Sequence, residues 1–472
     1  MKKMAIIASY FDGETYALLG PQMAATVIQE TAQTECIVIA VTRSDDKAIL
    51  AQALSNFFGN EMPVIGFSSL SGRKDLFDFA RFLKEAGAVT FLAGPQSDVD
   101  FSGETGWRDY PHRFQGLRDC FTFALHGPAE QAVAVLAGIQ NRQWQNTPGV
   151  LYADDHDRII QNPPQPWRDE FLGRVRWNNL FRVGPAGLVP LAIDTGQVLE
   201  HIGCPHAAHE KWIEVDYPAH LDASQEKKVK LKLKGCSFCD VSSDKGFYGA
   251  LKPEAVLSQI ACLPADADGR KIGFELINEN ALPGLPRLIR ECGNQGIQLS
   301  RIHLTLRADW FLSGEASLRE ALHLARKLRM RILLSSIGFE SFDERILRNL
   351  NKGLSVKTNI EAILRMRRLK DEFPLQWGYS NRDGAIHGLI HPTPWDLPET
   401  DALFRQVSAA YRMHADILPS RSIPLIIHHA AGLAGWIRQI EVSEKICFER
   451  YVSVIGWWPD AILAAAGSDL PA

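Results

Sequence analysis

The chain contains two long series in which short apolar runs alternate with amphipathic runs of helical length. In the first series, over residues 1–145, the apolar runs are rich in β-branched residues and occupy residues 4–10, 36–42, 63–68, 89–93 and 120–124. Continuous apolar runs separated by helices are typical of parallel strands that are buried on both faces. This series predicts the α/β class, with an N-terminal doubly wound, Rossmann-like parallel sheet.

The second series begins near residue 228 and predicts six strands with helices between them. The strand-like runs occupy residues 229–235, 271–277, 301–306, 331–337, 385–391 and roughly 416–427. Six such units predict a partial (β/α)6 barrel of the TIM type, in which chemistry gathers at the carboxyl ends of the strands. We therefore expect four segments: a doubly wound domain over 1–145, a linker and hairpin over 146–200, the barrel over 201–427 and a small C-terminal cap over 428–472.

Small and polar residues follow three of the N-terminal strands. They lie at residues 66–69, 94–97 and 126–128. Ligands of doubly wound sheets bind at the carboxyl ends of the strands, and small residues allow a large ligand to approach the backbone. Ordinary strand-to-helix turns carry the same residues, so these positions alone do not establish a ligand site.

The composition is that of a globular protein with two or three domains. The 472 residues are 46% hydrophobic and 22% charged, and the formal net charge is −4. Nothing in this charge indicates nucleic acid or a membrane surface as a partner. The N-terminal apolar run is too short for a signal peptide, and no run approaches the roughly 20 apolar residues of a membrane span. We expect a cytoplasmic protein.

Three of the eight cysteines stand in a pattern that indicates a metal site. Cys236 and Cys239 are three positions apart on a loop that follows a strand-like run, and two thiols at that spacing can bind one metal centre together. Cys204 is the nearest upstream thiol. The others lie in apolar surroundings and are expected to be buried like small hydrophobic residues: Cys36, Cys120, Cys262, Cys292 and Cys447.

Several stretches stand in the order found in one enzyme family. In the second half they are residues 235–239, 274–280, 304–309, 337–341, 346–353 and 388–394, and through them this half resembles the radical SAM enzymes. In the first half they are residues 63–68, 91–94 and 126–130, which resemble the cobalamin-binding domain that precedes many of these barrels. Together the resemblance covers roughly residues 1–425, and it implies a cobalamin-dependent radical SAM enzyme.

The chain departs from the family pattern in two places. The family usually spaces its cluster cysteines as CxxxCxxC, but the first of them would fall at Lys232. Cys204 lies in Gly203-Cys204-Pro205, which resembles the usual opening of the cluster loop, and the stretch 205–235 separates it from Cys236. We predict that an insertion within this stretch has split the motif. The DxHxxG signature of histidine-ligated cobalamin proteins is also missing, so no histidine of that motif would bind the cobalt.

The resemblance implies a role for each candidate residue. Thiolates of Cys204, Cys236 and Cys239 would hold a 4Fe-4S cluster and form the catalytic centre, and S-adenosylmethionine would bind the open iron. The implied contacts of S-adenosylmethionine are Phe238 near the adenine, Asn278, Glu279 and Asn280 near the amino group, and Arg307, Ser335 and Glu340 near the carboxylate and ribose. The implied cobalamin contacts are Ser68, Ser69, Gly94, Gln96 and Gly127. A purely structural Arg307–Glu340 ion pair is an alternative role for those two residues.

A zinc site is the main alternative to the cluster. The zinc-like set consists of Cys204, His206, His209, Cys236 and Cys239, four of which would suffice as ligands. Such a site would staple the insertion, and the chain would then be a degenerate, non-catalytic binding protein.

The function implied by the resemblance is the reductive cleavage of S-adenosylmethionine, followed by cobalamin-dependent methyl transfer to an unactivated carbon. Radical rearrangement or cyclisation by the same pair of domains is the alternative within the family. We expect a small molecule or a peptide as the substrate and a reducing partner such as flavodoxin or ferredoxin. We expect neither a membrane nor nucleic acid as a partner, because the chain has no apolar span and no basic excess.

Overall fold

The computed structural model describes residues 2–68, 72–139, 143–168, 170–222, 224, 226–239, 247–418, 422–452 and 454–457. The chain divides into two compact units. The first unit comprises Met1–Asp194 together with Glu449–Ala472, and the second comprises Thr195–Phe448. The range predicted as a cap, residues 428–472, is therefore shared between the units. Among the described residues, no helix combines the length and the apolarity that crossing a membrane requires.

The first unit contains a nine-stranded sheet. Its strands are β1 (Lys3–Ser9), β2 (Glu35–Val41), β3 (Val64–Ser68), β4 (Val89–Ala93), β5 (Phe123–Leu125), β6 (Val150–Ala153), β7 (Ile159–Gln161), β8 (Leu180–Gly184) and β9 (Gly187–Pro190). They lie in the order β7-β6-β5-β4-β3-β1-β2-β8-β9. Six neighbouring strands of this order run parallel: β5, β4, β3, β1, β2 and β8. The outer strands β6, β7 and β9 pair antiparallel with their neighbours. The five predicted runs correspond to β1–β5, and the α/β class with a parallel sheet is confirmed.

Helices supply a hydrophobic core to each face of this sheet. They are α1 (Leu19–Ala32), α2 (Lys47–Phe58), α3 (Lys74–Glu85), α4 (Ser97–Ser102) and α5 (Gln131–Gly138). Along β1, Ala5 and Ile7 belong to one core with α2 and α3, whereas Met4 and Ile6 belong to another with α1 and α5. Burial on both faces explains why the strand sequences are continuously apolar.

The strand order of the first unit reverses at β1. β1 lies between β2 and β3, so the chain leaves β1 toward one side of the sheet and later returns to its other side. In doubly wound sheets such a reversal opens a crevice at the carboxyl ends of the two strands, where ligands bind. Here that crevice lies next to Ser9 and Ser68, the last residues of β1 and β3.

The second unit contains a six-stranded sheet whose strand pairs are all parallel. The strands of this unit are β10 (Thr195–Leu199), β11 (His201–Gly203), β12 (Glu210–Asp216), β13 (Lys228–Lys234), β14 (Phe247–Ala250), β15 (Gly273–Ile277), β16 (Arg301–Leu306), β17 (Arg331–Glu340), β18 (Trp377–Gly378), β19 (Gly388–Leu389) and β20 (Ile427–His428). The sheet has the order β10-β15-β16-β17-β18, and β19 also pairs with β17. β11 pairs with β14, and β12 pairs with β13, in two separate antiparallel pairs.

The helices of the second unit mostly follow its parallel strands. They are α6 (Pro253–Cys262), α7 (Leu285–Asn294), α8 (Ala308–Ser313), α9 (Glu315–Leu328), α10 (Glu344–Asn349), α11 (Val356–Glu372), α12 (Pro398–Ala410) and α13 (Gly432–Glu444). α10 and α11 begin with side-chain caps, because Asp343 accepts hydrogen bonds from the main-chain N–H of Arg345 and Ile346, and Ser355 accepts one from Thr358.

The first strand of this sheet is not the predicted one. The assignment of residues 229–235 to the first barrel strand is wrong, since β13 pairs with β12 in a surface hairpin. β10 is the first strand instead, and it lies in the range predicted as a linker. The alternation of lysines with Val229, Leu231 and Leu233 does indicate a strand with one solvent-exposed face. Such a strand suits a surface hairpin better than a parallel sheet that is covered on both faces.

Two further predicted strands are wrong in extent. The run 385–391 shortens to β19, and of 416–427 only Ile427 enters a strand, β20, which lies outside the six-stranded sheet in the described part of the chain. β18 was not predicted, because two residues are too few to show a periodic pattern.

The last described residues belong to the first unit. β21 (Arg450–Tyr451) and β22 (Val454–Ile455) form a short antiparallel pair. The guanidinium of Arg450 contacts both carboxylate oxygens of Glu104, at 2.6 and 3.3 Å, and both side chains are buried. This bidentate ion pair ties the C-terminal segment to the loop that follows α4.

Candidate active site

Cys204 lies between the first parallel strand, β10, and the hairpin formed by β12 and β13. It follows β10 and β11, and its main-chain carbonyl accepts a hydrogen bond of 2.8 Å from the N–H of Ala207, which closes a helical turn. The thiol is half-buried. Thus Cys204 follows the first parallel strand of the sheet, β10, which lies in the range predicted as a linker.

Cys236 and Cys239 lie on a loop that is held by the segment after α10. Gly235 has a φ of +61°, and its carbonyl accepts a hydrogen bond of 2.5 Å from Asn351. Ser237 is fully buried and donates its hydroxyl to the carbonyl of Asn349 at 2.8 Å. The N–H of Cys239 donates to the carbonyl of Cys236 at 3.2 Å. These bonds fix the backbone from which both thiols project.

The thiols of Cys204 and Cys236 lie close enough to influence each other. Burial raises the pKa of both, and each also lies within electrostatic reach of Glu279 and Arg307. Arg307 approaches Cys236 directly, with Nη1 at 3.9 Å from Sγ. Lys352 and Arg307 lower the pKa of Cys236 against the effect of burial. Because metal ligands must be thiolates, these cations reduce the cost of placing negative sulfur here.

The members of the zinc-like set do not form a recognisable single-ion site in the described part of the chain. In the described part of the chain, no three His, Cys, Asp or Glu side chains are arranged to hold a metal ion. The thiolates of a four-iron cluster bind different irons and need not converge on one point. Of the two histidines in the zinc-like set, His206 contacts the carbonyl of Asn351 at 3.0 Å through Nε2, and His209 is exposed.

Glu340 and Lys352 form a buried ion pair beside the cysteine loop. Their Oε1 and Nζ atoms are 2.8 Å apart, and both side chains are buried. A Cβ at Gly338 would collide with both of them, so any larger residue there would displace the ion pair. Burial lowers the pKa of Lys352, but Glu340 and Cys236 more than offset it, and the net shift is upward. The Nζ lies 6.0 Å from the centre of the Phe238 ring.

The predicted alternative of an Arg307–Glu340 ion pair is wrong. Arg307 instead pairs with Asp309 at 3.1 Å and donates to the carbonyl of Lys352 at 2.8 Å. Lys352 therefore connects the two predicted residues, with its side chain on Glu340 and its carbonyl on Arg307. The sequence offered one signal for Lys352, its place in the family-like stretch 346–353, but gave it no role.

The predicted segment Asn278–Asn280 follows β15 and is organised by Glu200. Asn278 donates its side-chain amide to Glu200 Oε2 at 2.8 Å and accepts the N–H of Asn280 at 2.9 Å. Glu279 retains an exposed surface, yet desolvation by the surrounding protein raises the pKa of its carboxyl. Burial likewise raises the pKa of Glu200. Sequence reasoning missed Glu200 because it missed β10, which ends one residue earlier.

Ser335 is not at a strand end. It lies in the middle of β17, where its hydroxyl donates to the carbonyl of Leu304 at 2.9 Å and its own carbonyl accepts the N–H of Ile386 at 2.7 Å. These bonds fasten β17 to its neighbours.

In the first unit, the predicted residues lie at the carboxyl ends of β3, β4 and β5. Gly94 has a φ of +100°, and a Cβ there would lie 2.9 Å from the hydroxyl of Ser68. Gln96 is buried with a φ of +63°, and Gly127 has a φ of +110° with Gln131 against it. The missing side chains leave bare backbone along this edge, as a large planar ligand requires. Ser69 lies outside the described residues.

Sequence reasoning also missed Arg73, which organises the same edge. Its buried guanidinium donates at 3.0 Å to Ser9 Oγ, to the carbonyl of Val41 and to the carbonyl of Thr42, and it pairs with Asp75 at 2.7 Å. These contacts join the ends of β1 and β2 to the start of α3. An isolated arginine in a loop gave no signal in the sequence.

The remaining cysteines divide into two groups. Cys36, Cys120 and Cys292 are buried as predicted, but Cys262 and Cys447 are exposed. Cys262 is the last residue of α6, where the apolar face of that helix ends.

Comparison with known proteins yields structural relatives alone. No protein-family model and no curated protein matches the chain. The chain is similar to the cobalamin-dependent S-adenosylmethionine radical enzyme OxsB with aqua-cobalamin and S-adenosylmethionine bound, with a TM-score of 0.59 and 12% identity over 96% of this chain and 64% of that one. It is also similar to OxsB with aqua-cobalamin bound (TM-score 0.58, 11% identity, the same coverage). The apo, selenomethionine-labelled form gives a TM-score of 0.60 and 11% identity over 97% and 64% of the two chains.

These matches run through both units, because they cover nearly the whole of this chain. The chain spans less than two thirds of the OxsB chain. The likeness therefore concerns architecture, and it agrees with the two parallel sheets. The chain has the fold of a cobalamin-dependent S-adenosylmethionine radical enzyme.

Proposed function

We propose that this protein is a radical SAM enzyme that uses cobalamin. The observation that carries the proposal is the placement of Cys204, which follows the first parallel strand and lies within electrostatic reach of Cys236 although the whole stretch 205–235 separates them in the chain. The similarity in fold to OxsB, a cobalamin-dependent S-adenosylmethionine radical enzyme, supports it.

Cys204, Cys236 and Cys239 would hold the 4Fe-4S cluster. When bound, such a cluster supplies the electron that cleaves the sulfonium bond of S-adenosylmethionine to give a 5′-deoxyadenosyl radical. Asn349 and Asn351 hold the loop of Cys236 through main-chain bonds. Arg307, 3.9 Å from Cys236 Sγ, stabilises the thiolate form of that ligand.

The charged residues near the thiols suit the zwitterionic methionine moiety of S-adenosylmethionine. Glu279 is exposed and would contact the amino group of the methionine moiety. Glu200 accepts a hydrogen bond from the neighbouring Asn278 and holds that side chain in place. Arg307 and Lys352 would offset the charge of the carboxylate of the methionine moiety. Phe238 would stack on the adenine through its apolar ring, which lies near the Lys352 ammonium.

The first unit would bind the cobalamin along the edge that contains Ser68, Gly94, Gln96 and Gly127. When bound, methylcobalamin supplies a methyl group. Without a side chain at Gly94, a broad ligand could approach the backbone beside the Ser68 hydroxyl. Arg73 keeps that edge rigid by bonding the ends of two strands.

Methyl transfer to an unactivated carbon of a small molecule or peptide is the reaction that we propose. Radical rearrangement or cyclisation is the alternative that uses the same two cofactors. A zinc-stapled binding protein is the non-catalytic alternative, and its ligands would include Cys204, Cys236 and Cys239.

The first test is metal content. The protein is purified and reconstituted without oxygen, and iron, labile sulfide and zinc are measured per chain in the parent and in Cys204→Ala. Cys262→Ala is the matched control, since Cys262 is an exposed thiol outside the site. We expect about four irons in the parent and the control and a large loss in Cys204→Ala. Zinc in place of iron would overturn the proposal, and equal iron in all three would reject Cys204 as a ligand.

The second test separates the reactions. The reconstituted protein is incubated with S-adenosylmethionine and a reductant, with and without hydroxocobalamin. Release of 5′-deoxyadenosine identifies a radical SAM enzyme. Cobalamin-dependent release of S-adenosylhomocysteine supports methyl transfer, whereas 5′-deoxyadenosine alone at every cobalamin concentration would favour rearrangement.

A further inference from the structure

The insertion between Cys204 and Cys236 presents a lysine-rich face to solvent. β12 and β13 pair so that Glu210 lies opposite Lys234, Trp212 opposite Lys232 and Glu214 opposite Lys230. The four lysines of β13, at positions 228, 230, 232 and 234, are all exposed. Trp212 is 61% exposed, which is unusual for so large an aromatic side chain. We call these side chains of β12 and β13 the lysine face.

The opposite face of the hairpin is anchored, so the lysine face is a fixed surface. Leu231 and Leu233 are buried against α13, and a Cβ at Gly432 would lie 2.9 Å from a Leu233 methyl group. Lys227 at the hairpin end pairs with Glu444 of the same helix at 3.0 Å. A surface that is already ordered loses little entropy when a partner docks on it.

The lysine face is positive although the chain as a whole has a net charge of −4. Lys232 pairs with Glu210 at 2.6 Å, and Lys230 lies 5.3 Å from the centre of the Trp212 ring. Lys230 and Lys234 have no carboxylate within ion-pair distance among the described residues. Asp216, at the end of the hairpin, is buried and bonded to Arg348 and Asn349. The lysine face therefore exposes four lysines and two glutamates, because Lys211 lies opposite Leu233 on the other face of the hairpin.

The lysine face also lies next to the cluster cysteines along the chain. Lys234 is two residues before Cys236, which corresponds to about 7 Å of extended chain. A protein bound on this face would stand close to the iron that the cysteines hold.

We infer that the lysine face is the docking surface for an acidic protein that carries one electron, such as a reduced flavodoxin. The inference rests on the proposed function, because the cleavage of S-adenosylmethionine consumes an electron. In the step, the carrier is oxidised by one electron and the iron held by the three cysteines is reduced by one. No bond forms or breaks between the proteins. Complementary charge raises the rate of encounter, and an exposed tryptophan is typical of interface centres.

The test compares two variants with the same change in charge. Lys230→Gln/Lys234→Gln removes the two lysines of the face that lack a carboxylate partner in the described part of the chain, and Lys327→Gln/Lys357→Gln removes two exposed lysines of α9 and α11. The release of 5′-deoxyadenosine is measured with limiting reduced flavodoxin and separately with dithionite, a small reductant that needs no docking surface. We expect about a tenfold lower rate with flavodoxin in the first variant alone, with a weaker dependence on salt. With dithionite, all three proteins should react equally.

Direct binding distinguishes a failure of this inference from a failure of the proposed function. Flavodoxin is titrated calorimetrically into the iron-loaded parent and both variants, with no S-adenosylmethionine present. Weaker binding in Lys230→Gln/Lys234→Gln, with the control unchanged, supports the docking surface even if no cleavage occurs. Equal binding by all three proteins, or no binding by the parent, overturns it. A loss of cleavage with dithionite in the first variant also overturns it, because these lysines would then act on the active site itself.

Discussion

The two parallel sheets differ in the side chains that lie at the carboxyl ends of their strands. At the edge of the first unit, the predicted residues are small or uncharged, and the buried cation Arg73 donates to the carbonyls of Val41 and Thr42 at the end of β2 and to the hydroxyl of Ser9 in β1. At the edge of the second unit, ionisable side chains and thiols crowd together: Glu200, Cys204, Cys236, Glu279, Arg307, Glu340 and Lys352. We call these the small-residue edge and the charged edge.

The difference teaches how one fold class can present two chemically distinct surfaces at the ends of its strands. The small-residue edge offers backbone and space, which suit a large ligand with its own chemistry. The charged edge offers opposed charges at short range, which suit a small zwitterion and a metal centre. Changes at the charged edge should therefore disturb stability and chemistry together, whereas changes at the small-residue edge should mainly alter ligand binding.

The largest expected effect is at the charged edge. Lys352→Met would leave the Glu340 carboxylate buried without its partner at 2.8 Å. Breaking a buried ion pair typically costs about 3 to 5 kcal/mol. We expect a loss of that size in the unfolding free energy of the second unit, measured by urea titration with hydrogen exchange of peptides from Thr195–Phe448. The double variant Lys352→Met/Glu340→Gln should recover part of it. A loss below about 1 kcal/mol would show that the pair is not shielded from water.

A smaller effect is expected at the small-residue edge. Gly94→Ala places a Cβ at positive φ and 2.9 Å from Ser68 Oγ, whereas Gly87→Ala meets open space at a φ of +93°. Both should lose about 1 to 2 kcal/mol of stability from the left-handed backbone. Cobalamin affinity, measured by absorbance titration with hydroxocobalamin, should fall in Gly94→Ala alone. Equal affinities in the two variants would mean that this edge does not contact the cobalamin.

The smallest effect concerns His391, which follows β19. Hydrogen bonding to Asp396 at 3.2 Å raises the pKa of this half-exposed imidazole, and Asp401 at 3.7 Å adds to the shift. A raised pKa means that His391 stabilises the fold fully below its unfolded pKa of about 6.5 and progressively less as the pH rises through the folded value.

The melting temperature of His391→Gln should therefore lie below that of the parent at pH 6, by an amount equivalent to under about 1 kcal/mol. The difference should vanish in alkaline buffer. A gap that widens with rising pH would contradict this assignment of charge.

Sequence reasoning found the elements whose pattern is local. β1–β5 were predicted because each is continuously apolar and buried on both faces. β10 was missed because Thr195, Gly196 and Gln197 interrupt its apolar run, and β13 was misplaced because its alternation is clear but its partner cannot be read from one strand.

Site residues could be predicted where the chemistry requires a particular residue type. They could not be predicted where a role depends on which side chains meet in the fold. Cys204 was predicted because Gly203 and Pro205 flank it in the sequence. In the structure its thiol lies within electrostatic reach of Cys236. The pairing of Glu340 with Lys352 rather than with Arg307 depends on the direction of side chains across 12 residues, which no pattern encodes. Glu200 and Arg73 act by bonding other residues in place, and such roles leave no signature in a single sequence.

The hairpin between Cys204 and Cys236 bears on the entropy of bringing these two thiols together. That entropic cost grows with the length of the loop between them. Here β12 and β13 pair along seven residues each and close most of that loop by themselves. In the proposed enzyme, the cluster would therefore bind thiols whose separation in the chain is already bridged by strand pairing, unlike a zinc finger, in which metal binding drives folding.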